Sequence, residues 1–204
     1  GVLVASAACV VRDQIERVTE LPDTSNFPRN EIIVWKSQHT GFLSAVRETG
    51  ARLVEIGPGE EALEAAITER TAGMLWFAGT VFTAGALPLP DVIRIGKERG
   101  VPVIVDAADQ VPPAANLWKF TTEMGADLAI FSGGKGLRGP QSSGIIVGRA
   151  DLIRACRANS GPYHSIGRPA KVGREEFIGF LTAVELAVNA DEAAETRRYH
   201  DTVD

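Results

Sequence analysis

VPVIVDAADQ at residues 101–110 and ADLAIFSGGKGLRGPQSSG at residues 126–144 decide the fold. In each, a short apolar run ends on a functional group: the first on Asp106, the second on Ser132, two glycines and Lys135. Runs of this length, rich in β-branched residues and bounded by turn formers, read as buried strands. Strands apolar on both faces belong to a parallel sheet, whose ligands sit beyond the carboxyl ends of the strands. Asp106 and Lys135 are therefore expected at one crevice.

The flanking sequence continues the alternation. EIIVWKS (31–37), ARLVEIG (51–57) and AGMLWFAG (72–79) read as strands. TGFLSAVRETG (40–50), PGEEALEAAITER (58–70) and PLPDVIRIGKERG (88–100) read as helices, with Gly50 and Gly100 at C-termini and Pro58 in a first turn. Residues 116–124 are expected to include a helix, and GIIVGR (144–149) a strand that the short turn before it makes antiparallel. Residues 1–18 read as a first helix, 21–30 as a loop and 150–158 as a further helix. Residues 159–173, NSGPYHSIGRPAKVG, form an irregular stretch suited to an active-site loop. Residues 174–200 read as one long amphipathic helix. The fold class is α/β, a mostly parallel sheet flanked by helices.

Composition narrows the function. With 204 residues, 45% hydrophobic and 23% charged, the chain can bury a core of its own. No stretch approaches the roughly 18 apolar residues of a membrane helix, and the start carries no basic leader, so a cytoplasmic location without membrane association is expected. A net charge of −5 with scattered basic residues argues against a nucleic-acid surface. Cys9 and Cys156 lack metal or redox spacing and read as buried thiols, and no metal site is expected.

VIVDAAD (103–109), IFSGGKGLRGPQSSG (130–144) and GRPAKVGREE (167–176) together resemble the fold type I pyridoxal-phosphate enzymes. The resemblance is sharpest to the group of L-seryl-tRNA selenium transferase and D-glucosaminate-6-phosphate ammonia-lyase. It implies that this chain is the large, cofactor-binding domain (1–204) of a longer protein, cut at both ends. The helix at 174–200 would lead toward a smaller C-terminal domain, and the turn that binds the cofactor phosphate would lie just before Gly1. It also implies pyridoxal 5'-phosphate as cofactor and a homo-oligomer.

The chemistry accounts for the residue types. A carboxylate at Asp106 keeps a pyridinium nitrogen protonated, because an opposite charge at close range favours the charged form. Lys135 would hold the cofactor covalently and afterwards serve as a general base. The resemblance places Ala108 against one ring face and Gln38, with His39 beside it, against the other. Ser132 could bond the phosphate, and Gly133, Gly134 and Gly136 would let the backbone approach the cofactor. Arg138, Gln141, Arg168 and Lys171 are candidate ligands of an anionic small-molecule substrate. The expected activity is a lyase reaction on a small anionic amino acid or amino-sugar acid: α-proton abstraction, β-elimination and ammonia release. Selenium transfer on seryl-tRNA is the alternative, and would require tRNA binding. A segment with only a structural or interaction role is a third reading.

Overall fold

The computed structural model describes residues 1–203. Six strands form one sheet in the order β2-β1-β3-β4-β5-β6. They are β1 (Glu31–Trp35), β2 (Arg52–Ile56), β3 (Thr71–Phe77), β4 (Val103–Asp106), β5 (Leu128–Ser132) and β6 (Gly144–Gly148). The first five run parallel and β6 is antiparallel to β5, as its short connection requires. Central β1 and β3 are buried at every residue, whereas edge strands β2 and β6 are partly open.

Side chains alternate across the sheet and divide the core in two. Ile104, Leu75 and Ile130 point into one layer, covered by α1 (Val2–Val11), α2 (Ser44–Arg47) and α7 (Ala150–Ala158). Val103, Val105 and Phe131 point into the other, which holds Leu63 of α3 (Glu60–Ala66) and the apolar face of α5 (Leu89–Arg99). Between these come short α4 (Thr80–Thr83) and α6 (Asn116–Trp118), the latter running into a π-type turn at Lys119–Glu123. Gly100 caps α5 in the left-handed region (φ 65°), as the sequence predicts.

Several predicted helices are shorter than the pattern suggests: 40–50 gives a 3-10 turn and α2 alone, and 58–70 gives only α3. The helix at 1–18 stops at Val11, because Arg12 turns left-handed (φ 50°) and its Nη2 donates to Ala72 O at 3.0 Å; a 3-10 segment at Ile15–Glu20 follows. Residues 174–200 contain two helices, α8 (Arg174–Val188) and α9 (Glu192–Val203). Asn189 ends the first, and Asp191 Oδ1 accepts the Ala194 N–H at 3.0 Å to start the second. Helical periodicity runs through this break, which is why the pattern alone conceals it.

Candidate active site

The ends of β4 and β5 are held together beyond the sheet itself. Ala107 N–H donates to Ile130 O at 2.9 Å, and Ser132 N–H donates to Ala108 O at 3.3 Å. The two halves of the motif are thus neighbours. After Ser132 the chain folds into a compact turn: Gly133 N–H donates to Ser143 O (2.9 Å), Arg138 N–H to Lys135 O (2.8 Å) and Gly139 N–H to Gly133 O (2.7 Å). Arg138 takes a left-handed conformation (φ 57°) that lets this turn close behind Lys135.

A cavity of about 440 Å³ opens there, and Asp106, Ala108, Ser132 and Lys135 all line it. It lies over the ends of β3, β4 and β5 and the start of β6, with the first turn of α1 along one wall. This is the carboxyl side of the parallel sheet, as expected, but displaced from the switch between β1 and β3. Phe42, Phe82, Ser142, Ser143 and Ser160 complete much of the lining. None of these five is singled out by the sequence. The serines of QSSG stand close enough to Lys135 in sequence to have been suspected, but Phe42 and Phe82 arrive from remote loops without a motif.

Asp106 is half-buried. Burial raises its carboxyl above the ordinary aspartate range, opposed by the hydrogen bond from Ala108 N–H to Oδ1 (3.1 Å) and by the Lys135 charge. Lys135 is exposed to the cavity mouth.

Gln38 and His39, expected against a cofactor ring, are placed elsewhere. Gln38 is fully buried: its Nε2 donates to Phe77 O and Phe82 O, both at 3.1 Å, and its Oε1 accepts the Phe77 N–H at 3.0 Å. Its amide braces the end of β3 from behind the cavity wall. His39 Nδ1 lies 2.8 Å from Glu55 Oε1 on the surface. Neither lines the cavity.

The candidate anion ligands also lie off the cavity lining. Arg138 borders a second hollow, beside Gly136, Ala183 and Glu192. Gln141 Nε2 donates to Gly134 O at 3.0 Å, and Arg168 Nη1 donates to Pro162 O at 2.8 Å within its own loop. Lys171 is exposed, while its neighbours Ala170 and Val172 reach the cavity. Residues 159–173 therefore contribute a wall, but through small and apolar residues.

That wall is anchored by Glu176, whose Oε1 accepts the Ser142 hydroxyl and whose Oε2 accepts the Gly173 N–H, both at 2.6 Å. These bonds, the Ser142 hydroxyl first, hold the Glu176 carboxyl below its ordinary range.

The glycines of this turn also pack closely on the protein itself. A β-carbon on Gly136 would fall 1.5 Å from Val111 O, and one on Gly133 would fall 2.1 Å from Ser143 Oγ. They are needed so that the turn can pack on its own neighbours.

A mostly parallel sheet with an acid and a lysine lining one cavity beyond its carboxyl edge defines an α/β fold with a candidate small-molecule site. The comparisons narrow the class. The chain matches the aminotransferase class-V family over residues 18–163. It is 39% identical over 195 residues to a 5'-C-glycyluridine monooxygenase-decarboxylase from a Streptomyces species, covering 90% of this chain and 46% of that protein. It is 32% identical over 194 residues to the D-glucosaminate-6-phosphate ammonia lyase of Salmonella typhimurium, covering 91% and 50%. A solved structure of a D-glucosaminate-6-phosphate ammonia-lyase superimposes with a TM-score of 0.81 at 30% identity, covering 94% of this chain and 52% of that one. The chain belongs to the aminotransferase class-V family, a family of pyridoxal-phosphate enzymes. It spans about half the length of the curated relatives it matches.

The residues present fit that cofactor. A half-buried carboxylate suits a ring nitrogen, a lysine in the same cavity suits an aldehyde, and Ala108 leaves room for a flat ring. The volume lies within the range of small-molecule sites, about 300–1,000 Å³. Among the described residues no helix is long and apolar enough to cross a membrane.

Proposed function

We propose that this chain is the cofactor-binding large domain of a pyridoxal-phosphate lyase acting on an amino acid or amino-sugar acid, with β-elimination and ammonia release. The convergence of Asp106 and Lys135 on one cavity carries the reading. Bound pyridoxal phosphate supplies an electron sink for the pair left at a substrate α-carbon. Asp106 supplies the anion that keeps the ring nitrogen protonated. Lys135 holds the cofactor and, when free, takes up the α-proton. Ser132, with the first-turn N–H groups of α1 along the same wall, is suited to phosphate oxygens. The likeness to an ammonia lyase supports the choice of reaction. A homo-oligomer belongs to this reading, supported by the resemblance of the motifs, as does a cytoplasmic location, which rests on composition alone.

Decarboxylation with oxygen is a second reading, favoured by the 39% identity to the monooxygenase-decarboxylase. The full-length protein, loaded with pyridoxal phosphate and supplied with D-glucosaminate 6-phosphate and other amino acids, separates the two. The lyase reading expects equal amounts of ammonia and 2-oxo acid without oxygen uptake. Carbon dioxide released in step with oxygen consumption replaces it with the second reading.

Asp106→Asn tests the carboxylate. Asparagine can still accept the Ala108 N–H but cannot balance a ring cation, so turnover falls by about 10²-fold. The cofactor-free protein responds in the opposite sense. Because burial raises this carboxyl in the folded state, its ionisation opposes folding, increasingly as pH climbs from the ordinary aspartate value of about 3.9. The variant should therefore melt at a higher temperature than wild type at pH 7, and the gap should close as the pH falls below that value. Unchanged turnover would remove Asp106 from the site.

A further inference from the structure

The cavity holds a second carboxylate that the reaction described above does not use. Asp109 lies three residues beyond Asp106 on the turn that leaves β4, exposed and lining the cavity. Its Oδ1 accepts the Gln110 Nε2–H at 2.8 Å, and among the described residues it forms no ion pair. The same oxygen lies near the loop after β3, where a β-carbon added to Gly79 would stand 3.9 Å from it. The carboxylate thus stands on the β4 turn where that turn faces the loop after β3.

Among the described residues, the charged side chains of the cavity lining are Asp106, Asp109 and Lys135. Asp106 and Lys135 are committed to the cofactor, which leaves Asp109 as the uncompensated charge facing a substrate. A carboxylate is an acceptor only, so it pairs well with a hydroxyl or an amine and poorly with a second anion. In a partly desolvated cavity both effects exceed their strength in water.

We propose that Asp109 is a specificity-determining residue that accepts a hydrogen bond from a hydroxyl on the substrate carbon next to the α-carbon and turns away substrates carrying a carboxylate there. The substrate class is then a hydroxylated amino acid, whether an amino-sugar acid or a smaller β-hydroxy amino acid. This rests on the cofactor reading above and sharpens it, since a hydroxyl at that carbon is the group that β-elimination expels.

The test uses full-length protein saturated with pyridoxal phosphate and follows the cofactor's visible absorbance rather than turnover. DL-serine and DL-aspartate differ in the group on the β-carbon, and each is titrated separately. Wild type should respond to serine at a concentration lower by about tenfold than to aspartate, the ratio expected from one charge-assisted hydrogen bond against one like-charge contact. Asp109→Asn should bring the two within about threefold, mainly by admitting aspartate, and Asp109→Ala should weaken the serine response by about tenfold. Aspartate acting as well as serine on wild type overturns the proposal. So does an unchanged ratio in Asp109→Asn, or a band that serine does not shift. A wild type that takes up no cofactor shows no band to titrate, and defeats the cofactor reading itself.

Discussion

Lys135→Ala should abolish the visible band that forms when the full-length protein takes up pyridoxal phosphate, and should lower turnover by about 10³-fold or more. Among the described residues Lys135 is the single ammonium side chain in the cavity lining, so none of them can take over its bond to the cofactor. It also reaches the cavity from a turn closed by three backbone hydrogen bonds, which fixes where its main chain stands. Lys135→Arg keeps the charge but cannot form the covalent link, and should lose the band as completely as alanine does. Reduction of wild type with borohydride should leave the cofactor's mass on the peptide containing residue 135. A band that survives in Lys135→Ala, or a label on another peptide, would disprove the assignment.

Gly136→Ala should have the largest structural effect. The added methyl would lie 1.5 Å from Val111 O and 2.5 Å from Val111 C, both backbone atoms that cannot rotate away. Gly136 is not among the residues at positive φ, so the obstacle is the neighbour and not the glycine's own conformation. Either the Lys135 turn or the Val111–Pro112 segment must move. Overpacking of this kind costs about 3 kcal/mol. For a chain of this size that is a fall of roughly 6–12 °C in melting temperature. Because the displaced turn carries Lys135, cofactor affinity should fall along with stability, by about tenfold. Gly41→Ala is the matched control: its β-carbon meets nothing within 4 Å, and it should melt within about 1 °C of wild type. Equal melting of Gly136→Ala and wild type would show that the packing is looser than described.

How much of this was legible beforehand differs by element. The strands were readable because each is a short apolar run closed by turn residues, and β4 and β5 carry their functional groups at the ends where a parallel sheet presents them. The helix ends were less so. Arg12 stops α1 through a bond to Ala72, 60 residues away, which no local pattern records. Asn189 and Asp191 interrupt a periodicity that otherwise continues smoothly from α8 into α9.

The site divides along the same line. Asp106 and Ser132 end adjacent strands, and Ala108 and Lys135 lie on the turns that follow them, so reading the motif also places all four on the cavity lining. Gln38 illustrates the opposite case. Motif matching put it against the cofactor, yet its amide finds three backbone partners at Phe77 and Phe82 and is consumed in bracing β3. Arg138, Gln141 and Arg168 have the charge or polarity for an anion, but their backbone directions carry them away from the cavity lining.

By itself the sequence determined the alternation of strand and helix, hence the layered α/β sheet, and the pairing of a carboxylate with a lysine at its carboxyl edge. Those follow from periodicity and from strand ends, which are local properties. Tertiary structure decided what surrounds the pair: Phe42 and Phe82 from distant loops, the Glu176 tether on the wall, and Asp109 on the lining, bonded to Gln110 and without an ion pair among the described residues. Burial, hydrogen-bond satisfaction and steric fit depend on segments far apart in the chain, and only their packing together fixes which side chains face the cavity and which are spent in supporting it.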